Sequence, residues 1–190
     1  MSFPRTHTAR LVRPIVVAIL FAAFPAHPAD RSLEYAVKAT FLYKFASFVE
    51  WPQGSFAHES SPLNLCVVGA DPFGGRIQEA VSGQSVGRHP IVLRQLAKAE
   101  PQSDCHVMFV SRSASQPAAE ALQAVSGTPT LTVTDSALGA TAGIMHFVIV
   151  AGRVSFDIDN AAASRNHLVI SSKLLALARK VTAARPAATP

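Results

Sequence analysis

The chain has 190 residues, 49% of them hydrophobic, with 17 Lys+Arg against 12 Asp+Glu, so it is long enough to bury a core as one domain. Three of the arginines fall in an N-terminal segment that reads as removable, and without residues 1–29 the balance is 14 against 12, or +2. No block of basic residues carries interleaved aromatics, so nothing supports nucleic-acid binding.

The removable segment has three parts. Arg5, Arg10 and Arg13 are a basic start, Ile15 to Phe24 is an uncharged apolar run, and the small residues Ala26 and Ala29 follow. This predicts a secretory signal peptide over residues 1–29, since the run is too short to span a membrane comfortably. The expected organisation is a signal peptide, an α/β domain over residues 30–184 and a disordered tail over 185–190.

Leu33 to Pro52 is the longest helical pattern in the chain. On a 3.6-residue period Leu33, Val37, Phe41, Phe45 and Phe48 share one side, widened by Leu42 and Val49. Ala36, Ala39, Ala46 and Ser47 make a small opposite side that can admit a close neighbour. Asp30 or Ser32 is placed to cap the start, and Pro52 forbids continuation. At its end Glu50 and Trp51 offer a partner an aromatic anchor, unless Trp51 only closes the bottom of the core.

Leu63 to Gly69 is short, continuous and apolar, as a buried strand is. The turn that follows, Gly69 to Gly74, leads into a short helix from Gly75 to Val81. It departs from G-x-G-x-x-G, and Pro72 removes an amide that a phosphate would need, so a dinucleotide site is not expected. Asp71 is read instead as a cap for that helix. Ile91 to Leu96 is a second strand, placed near a sheet edge by Pro90 and Arg94. Cys105 to Val110 is a third strand, Gln116 to Val125 a helix, and Thr130 to Thr134 a fourth strand. Strands alternating with helices predict a largely parallel sheet with helices on its faces.

The pattern then changes. Ile144 to Val150 and Val154 to Ile158 flank Ala151-Gly152-Arg153 and predict an antiparallel hairpin. Asp159-Asn160 caps a last helical region that breaks at His167 to Ile170 and continues from Ser171 to Ala183. Ser171, Ser172 and Lys173 open that final helix, as caps or as contacts for an anion or partner.

No constellation carries catalysis. The histidines lack partners at metal-ligand spacing, no G-x-S-x-G elbow occurs, and Asp157 with Asp159 falls short of a calcium set. No cofactor or metal is therefore expected. The loops at the strand carboxyl ends are the usual crevice of an α/β sheet. They hold Asp71, Phe73, Arg112 and Asp135, a candidate site for a small ligand. Cys66 and Cys105 are an even pair in an expected export product. A disulfide and two buried thiols are both open, and zinc is not.

Six segments in order, AVKATFLYKFASFVEWP, LNLCVVGADPFG, CHVMFVS, LTVTD, GRVSFDID and ISSKLLALA, closely resemble the YfiR-like family of bacterial periplasmic proteins. The resemblance implies a Rossmann-like, three-layer α/β sandwich. It implies a non-enzymatic regulator that binds the periplasmic part of an inner-membrane diguanylate cyclase, a GGDEF protein, and holds it inactive. An outer-membrane lipoprotein would draw the regulator away, releasing cyclic-di-GMP synthesis and biofilm formation. Cys66 and Cys105 match a disulfide pair of the best-known member, whereas its second pair has no counterpart between Ile144 and Ile158. The alternative is a periplasmic small-molecule sensor with no cyclase partner, and a hydrolase assembled only in space ranks last. A homodimer is open on either reading.

Overall fold

The computed structural model describes residues 28–183. The expected signal peptide lies outside them except for Pro28 and Ala29, which open the first helix, and so does the expected tail. Among the described residues no helix is long and apolar enough to cross a membrane.

The chain begins with α1 (Pro28–Ala46) and β1 (Val49–Glu50), then β2 (Leu63–Val68), α2 (Arg76–Val81), β3 (Ser85–Val86) and β4 (His89–Leu96). It continues through β5 (Val107–Val110), α3 (Ala118–Ala124), β6 (Leu131–Asp135), β7 (Met145–Val150) and β8 (Arg153–Asp159). It closes with α4 (Asn160–Arg165), β9 (Val169–Ile170), α5 (Ser172–Leu177) and β10 (Lys180–Thr182). Eight strands form one sheet in the order β10-β8-β7-β6-β5-β2-β4-β3. From β4 to β7 the neighbours are parallel, as the alternating pattern predicts. β7 and β8 are the expected antiparallel hairpin, turned by Ala151 and Gly152 at φ 47° and 74°.

Period-2 alternation divides the buried strands between two layers. Leu63, Leu65, Val67, Val107 and Phe109 pack in one cluster with Ile77 and Val81 of α2 and with α1. Cys66, Val68, Met108 and Val110 pack on the other side with Ala121 of α3 and Val125. Cys66 and Cys105 meet there as a disulfide with Cα atoms 5.9 Å apart, because β2 and β5 are parallel neighbours.

α1 departs from its expected orientation. Lys38, Ala39, Leu42, Phe45 and Ala46 are its buried residues, while Leu33 is 67% exposed and Val37 lies open. The buried face keeps Leu42 and Phe45 of the expected apolar side and adds Ala39 and Ala46 of the small side, while Ser47 stays exposed. Ser32 is not a cap: its hydroxyl accepts from Arg76 Nη2 of α2 at 2.6 Å. Asp71 does not cap α2 either. Its carboxylate accepts from the Phe73 amide at 2.7 Å in a local turn, and Gly75 stands at the helix start with no side-chain bond.

The expected final helix also ends early. α5 stops at Leu177, Ala178 is extended, and the Arg179 amide donates to Phe156 O, launching β10 parallel to β8. An ion pair between Arg179 and Asp157 holds this edge. The break at His167 to Ile170 is a strand: β9 pairs antiparallel with β1, setting Ile170 opposite Val49 and Val169 opposite Glu50.

Candidate functional site

The order of the parallel strands creates a crevice. β2 is followed by β4 on one side, and the chain then returns to lay β5 on the other side of β2. The connections leaving β2 and β5 lead to α2 and α3, which lie on opposite faces of the sheet. Where strand order reverses in this way, the loops diverge and leave room for a ligand beyond the carboxyl ends of the strands. A cleft of about 460 Å³ lies there, bounded by Ala70 and Pro72 after β2, by Ser111 and Arg112 after β5, and by the turn after β6.

Its inner edge is drawn tight. The Ala70 amide donates to Arg112 O at 2.8 Å. Gly69 has φ 88°, and a Cβ there would stand 2.6 Å from Arg112 O, so the close approach of the two loops requires glycine.

The first turns of α1 form the opposite wall and bring in a polar cluster. Lys38 is only 1% exposed, yet its Nζ lies 3.1 Å from Asp135 Oδ2 and is also paired with Glu34 one turn back. The Tyr35 hydroxyl donates to the same Asp135 oxygen at 2.9 Å. Asp135 Oδ1 accepts from the Ala137 amide at 2.9 Å, closing the turn after β6. Both oxygens of this 3%-exposed carboxylate are therefore occupied. Burial, then the Asp135 charge and its hydrogen bond, push the Tyr35 hydroxyl far above its ordinary value, so it remains a neutral donor. Lys38 also stands over the Tyr35 ring, 4.5 Å from its centroid.

Of the residues expected in this crevice, Arg112 and Asp135 line it. Arg112 Nε and Nη2 both donate to Ala137 O, at 3.2 and 2.6 Å, which fixes the guanidinium at the mouth. Phe73 does not line it. It is fully buried, edge-on to Tyr35 and Phe109, and belongs to the floor of the core. Asp71 is exposed, with its carboxylate turned to the Phe73 amide. The sequence reading missed Arg31, Glu34, Tyr35 and Lys38. The available signal was a lysine one turn after a glutamate and one turn before Leu42, on the apolar side of α1.

The residues expected to meet a partner cluster at the other end of α1. The β1–β9 pairing brings Glu50 beside Val169, and the Ser171 amide donates to Phe48 O at 2.9 Å. The Ser171 hydroxyl caps α5 by accepting from the Leu174 amide, while Ser172 and Lys173 are exposed. Trp51 is half-buried rather than a free anchor. Its indole N–H donates to Pro129 O at 3.0 Å, and its ring meets Phe56 and His106 edge-on.

His106, His146, Asp157 and Asp159 are committed to structure. His106 Nδ1 accepts from the Asn64 amide at 3.1 Å and Nε2 donates to Ser55 O at 2.9 Å, so both nitrogens hold backbone. His146 Nδ1 pairs with the Thr134 hydroxyl. Asp157 serves Arg179, and Asp159 caps α4 through the Ala162 amide. Among the described residues no group of three or more His, Cys, Asp or Glu is placed to hold a metal ion.

A doubly covered, mostly parallel sheet with a crevice at its strand reversal and a polar network built beneath it is a mixed α/β sandwich. A family model described as YfiR/HmsC-like matches residues 35–179, and the chain belongs to that family. A comparison with curated proteins gives no match.

Proposed function

We propose that this protein is a periplasmic regulator that binds the periplasmic part of an inner-membrane diguanylate cyclase and holds it inactive. Cyclic-di-GMP and biofilm formation would fall as a result. The observation that carries the reading is the family match over residues 35–179, which takes in nearly the whole described domain. The surface around β1, β9 and α5 supports it. Val169 and Leu177 stand 58% and 69% exposed there, beside Glu50, Ser172 and Lys173. Apolar residues left in water and ringed by polar ones are what a docking face needs. Trp51 would act by stiffening this face from behind, and Ser171 by capping α5. Binding one conformation of the cyclase would shift its population across the membrane, and capture by an outer-membrane lipoprotein would reverse the shift.

The test is a pull-down of the exported protein from detergent-solubilised inner membrane, with cellular cyclic-di-GMP measured after gene deletion. Capture of a GGDEF protein and a rise in cyclic-di-GMP are expected. A flat nucleotide level with no cyclase captured would remove the partner.

A further inference from the structure

The cleft at the strand reversal plays no part in that reading, and its chemistry is specific enough to name a ligand class. We infer that it binds a small organic monocarboxylate, with Arg31 and Arg112 receiving the carboxylate. Charge is the first argument. Lys38 is spent on Glu34 and Asp135, so these three buried or half-buried groups carry one net negative charge. Arg31 and Arg112 at the rim add two positive charges, which leaves the lining one positive charge in excess. A monoanion neutralises it.

Geometry is the second argument. The Arg112 guanidinium is held by two bonds to Ala137 O through Nε and Nη2, which leaves its Nη1 edge for a ligand. A positioned guanidinium matches a carboxylate and loses little freedom on binding it. The Asp135 oxygens accept from Tyr35, Lys38 and Ala137, so that carboxylate is compensated and does not repel an incoming anion at full strength.

The rest of the lining accounts for an organic body. Pro72, Leu138 and Ile149 contribute apolar surface, and Ile149 is 43% exposed. A volume of about 460 Å³ falls inside the range of roughly 300–1,000 Å³ typical of small-molecule sites. The buried network also needs explaining. Apolar side chains in place of the Lys38–Asp135 pair would fill the same space without the desolvation cost of the charges. The lysine instead pins α1 to the turn after β6, fixing both walls of the cleft in advance of binding.

The test is an NMR titration of the isotope-labelled exported protein with acetate, isovalerate, benzoate and phenylacetate. Benzamide and inorganic phosphate serve as controls. Saturable shifts of the Arg31, Tyr35, Ser111 and Arg112 amides are expected with the larger monocarboxylates. Arg112→Gln and Arg31→Gln should each weaken binding about tenfold, the loss of one charged hydrogen bond, with the spectrum outside the cleft unchanged. Three results would overturn the inference: no saturable shift with any monocarboxylate, benzamide binding as well as benzoate, or binding indifferent to both substitutions. Binding of phosphate alone would replace the carboxylate class with an inorganic anion. None of these outcomes bears on the cyclase partner, which rests on the family match and on the surface at the opposite end of α1.

Discussion

Lys38 Nζ and Asp135 Oδ2 lie 3.1 Å apart across 97 positions of sequence, and both side chains are almost completely out of water. This contact ties the longest helix to the carboxyl end of a central strand. Removing one member strands a charge. Asp135→Asn should cost about 3 kcal/mol, the low end for a broken buried pair, because Glu34 still faces Lys38. Lys38→Met should also destabilise, by leaving Asp135 to Tyr35 and Ala137 alone. The double variant should cost clearly less than the two singles together. Denaturant unfolding of all four proteins checks this, and strict additivity would mean the pair is not coupled.

His106 makes stability depend on pH. Burial pushes its imidazole below the ordinary value of 6.5, against weaker opposing effects from Ser55 O and Asp104. Its Nδ1 must stay unprotonated to accept from the Asn64 amide. A depressed folded value means that the unfolded chain takes up the proton first. The stabilisation is therefore complete above about pH 6.5, the unfolded value, and is lost as pH falls through the folded one. Burial also lowers His146, which adds in the same direction. NMR titration should find the His106 midpoint below 6.5. A His106→Gln variant should show a shallower decline of stability in acid than the parent.

The Cys66–Cys105 bridge closes a loop of 39 residues between neighbouring parallel strands. In the chain-entropy model this contributes about 4 kcal/mol. Replacing both cysteines by alanine should lower unfolding stability by about that amount, and a reducing agent should then have no further effect. A loss well under 1 kcal/mol would show that the packing of β2 against β5 holds without the bond.

Gly69 should be the least replaceable glycine beside the cleft. At φ 88°, with Arg112 O 2.6 Å from the missing Cβ, Gly69→Ala should cost at least about 2 kcal/mol. Gly54 has a similar φ of 85° but nothing within 4 Å, so Gly54→Ala measures the backbone strain alone. The difference between the two melts isolates the close approach of the β2 and β5 loops. Equal losses would show that these loops yield.

Much of the architecture was legible in the residues themselves. Apolar runs at Leu65 to Val68 and Val107 to Val110 mark strands buried on both faces, and the glycine turn at 152 marks the hairpin. These signals are local, since a strand's period and a turn's positive φ are properties of a few adjacent residues. The expected crevice likewise is lined by Arg112 and Asp135, because the loops after parallel strands all lie at the same end of the sheet.

What the tertiary structure alone decided was compensation between distant groups. Periodicity drew an apolar stripe through Leu33 and Val37 but gave no reason to turn Lys38 inward. That reason is Asp135, in a strand far along the chain. Whether Trp51 is an anchor or closes the core stayed open in the sequence because its acceptor, Pro129 O, is equally remote. β10 has only three residues, all exposed, and becomes a strand only because β8 presents an edge for it to pair with. Local sequence thus determined most of the elements. The burial of a charge, the role of an aromatic and the pairing of an edge waited on partners that only the fold brings within reach.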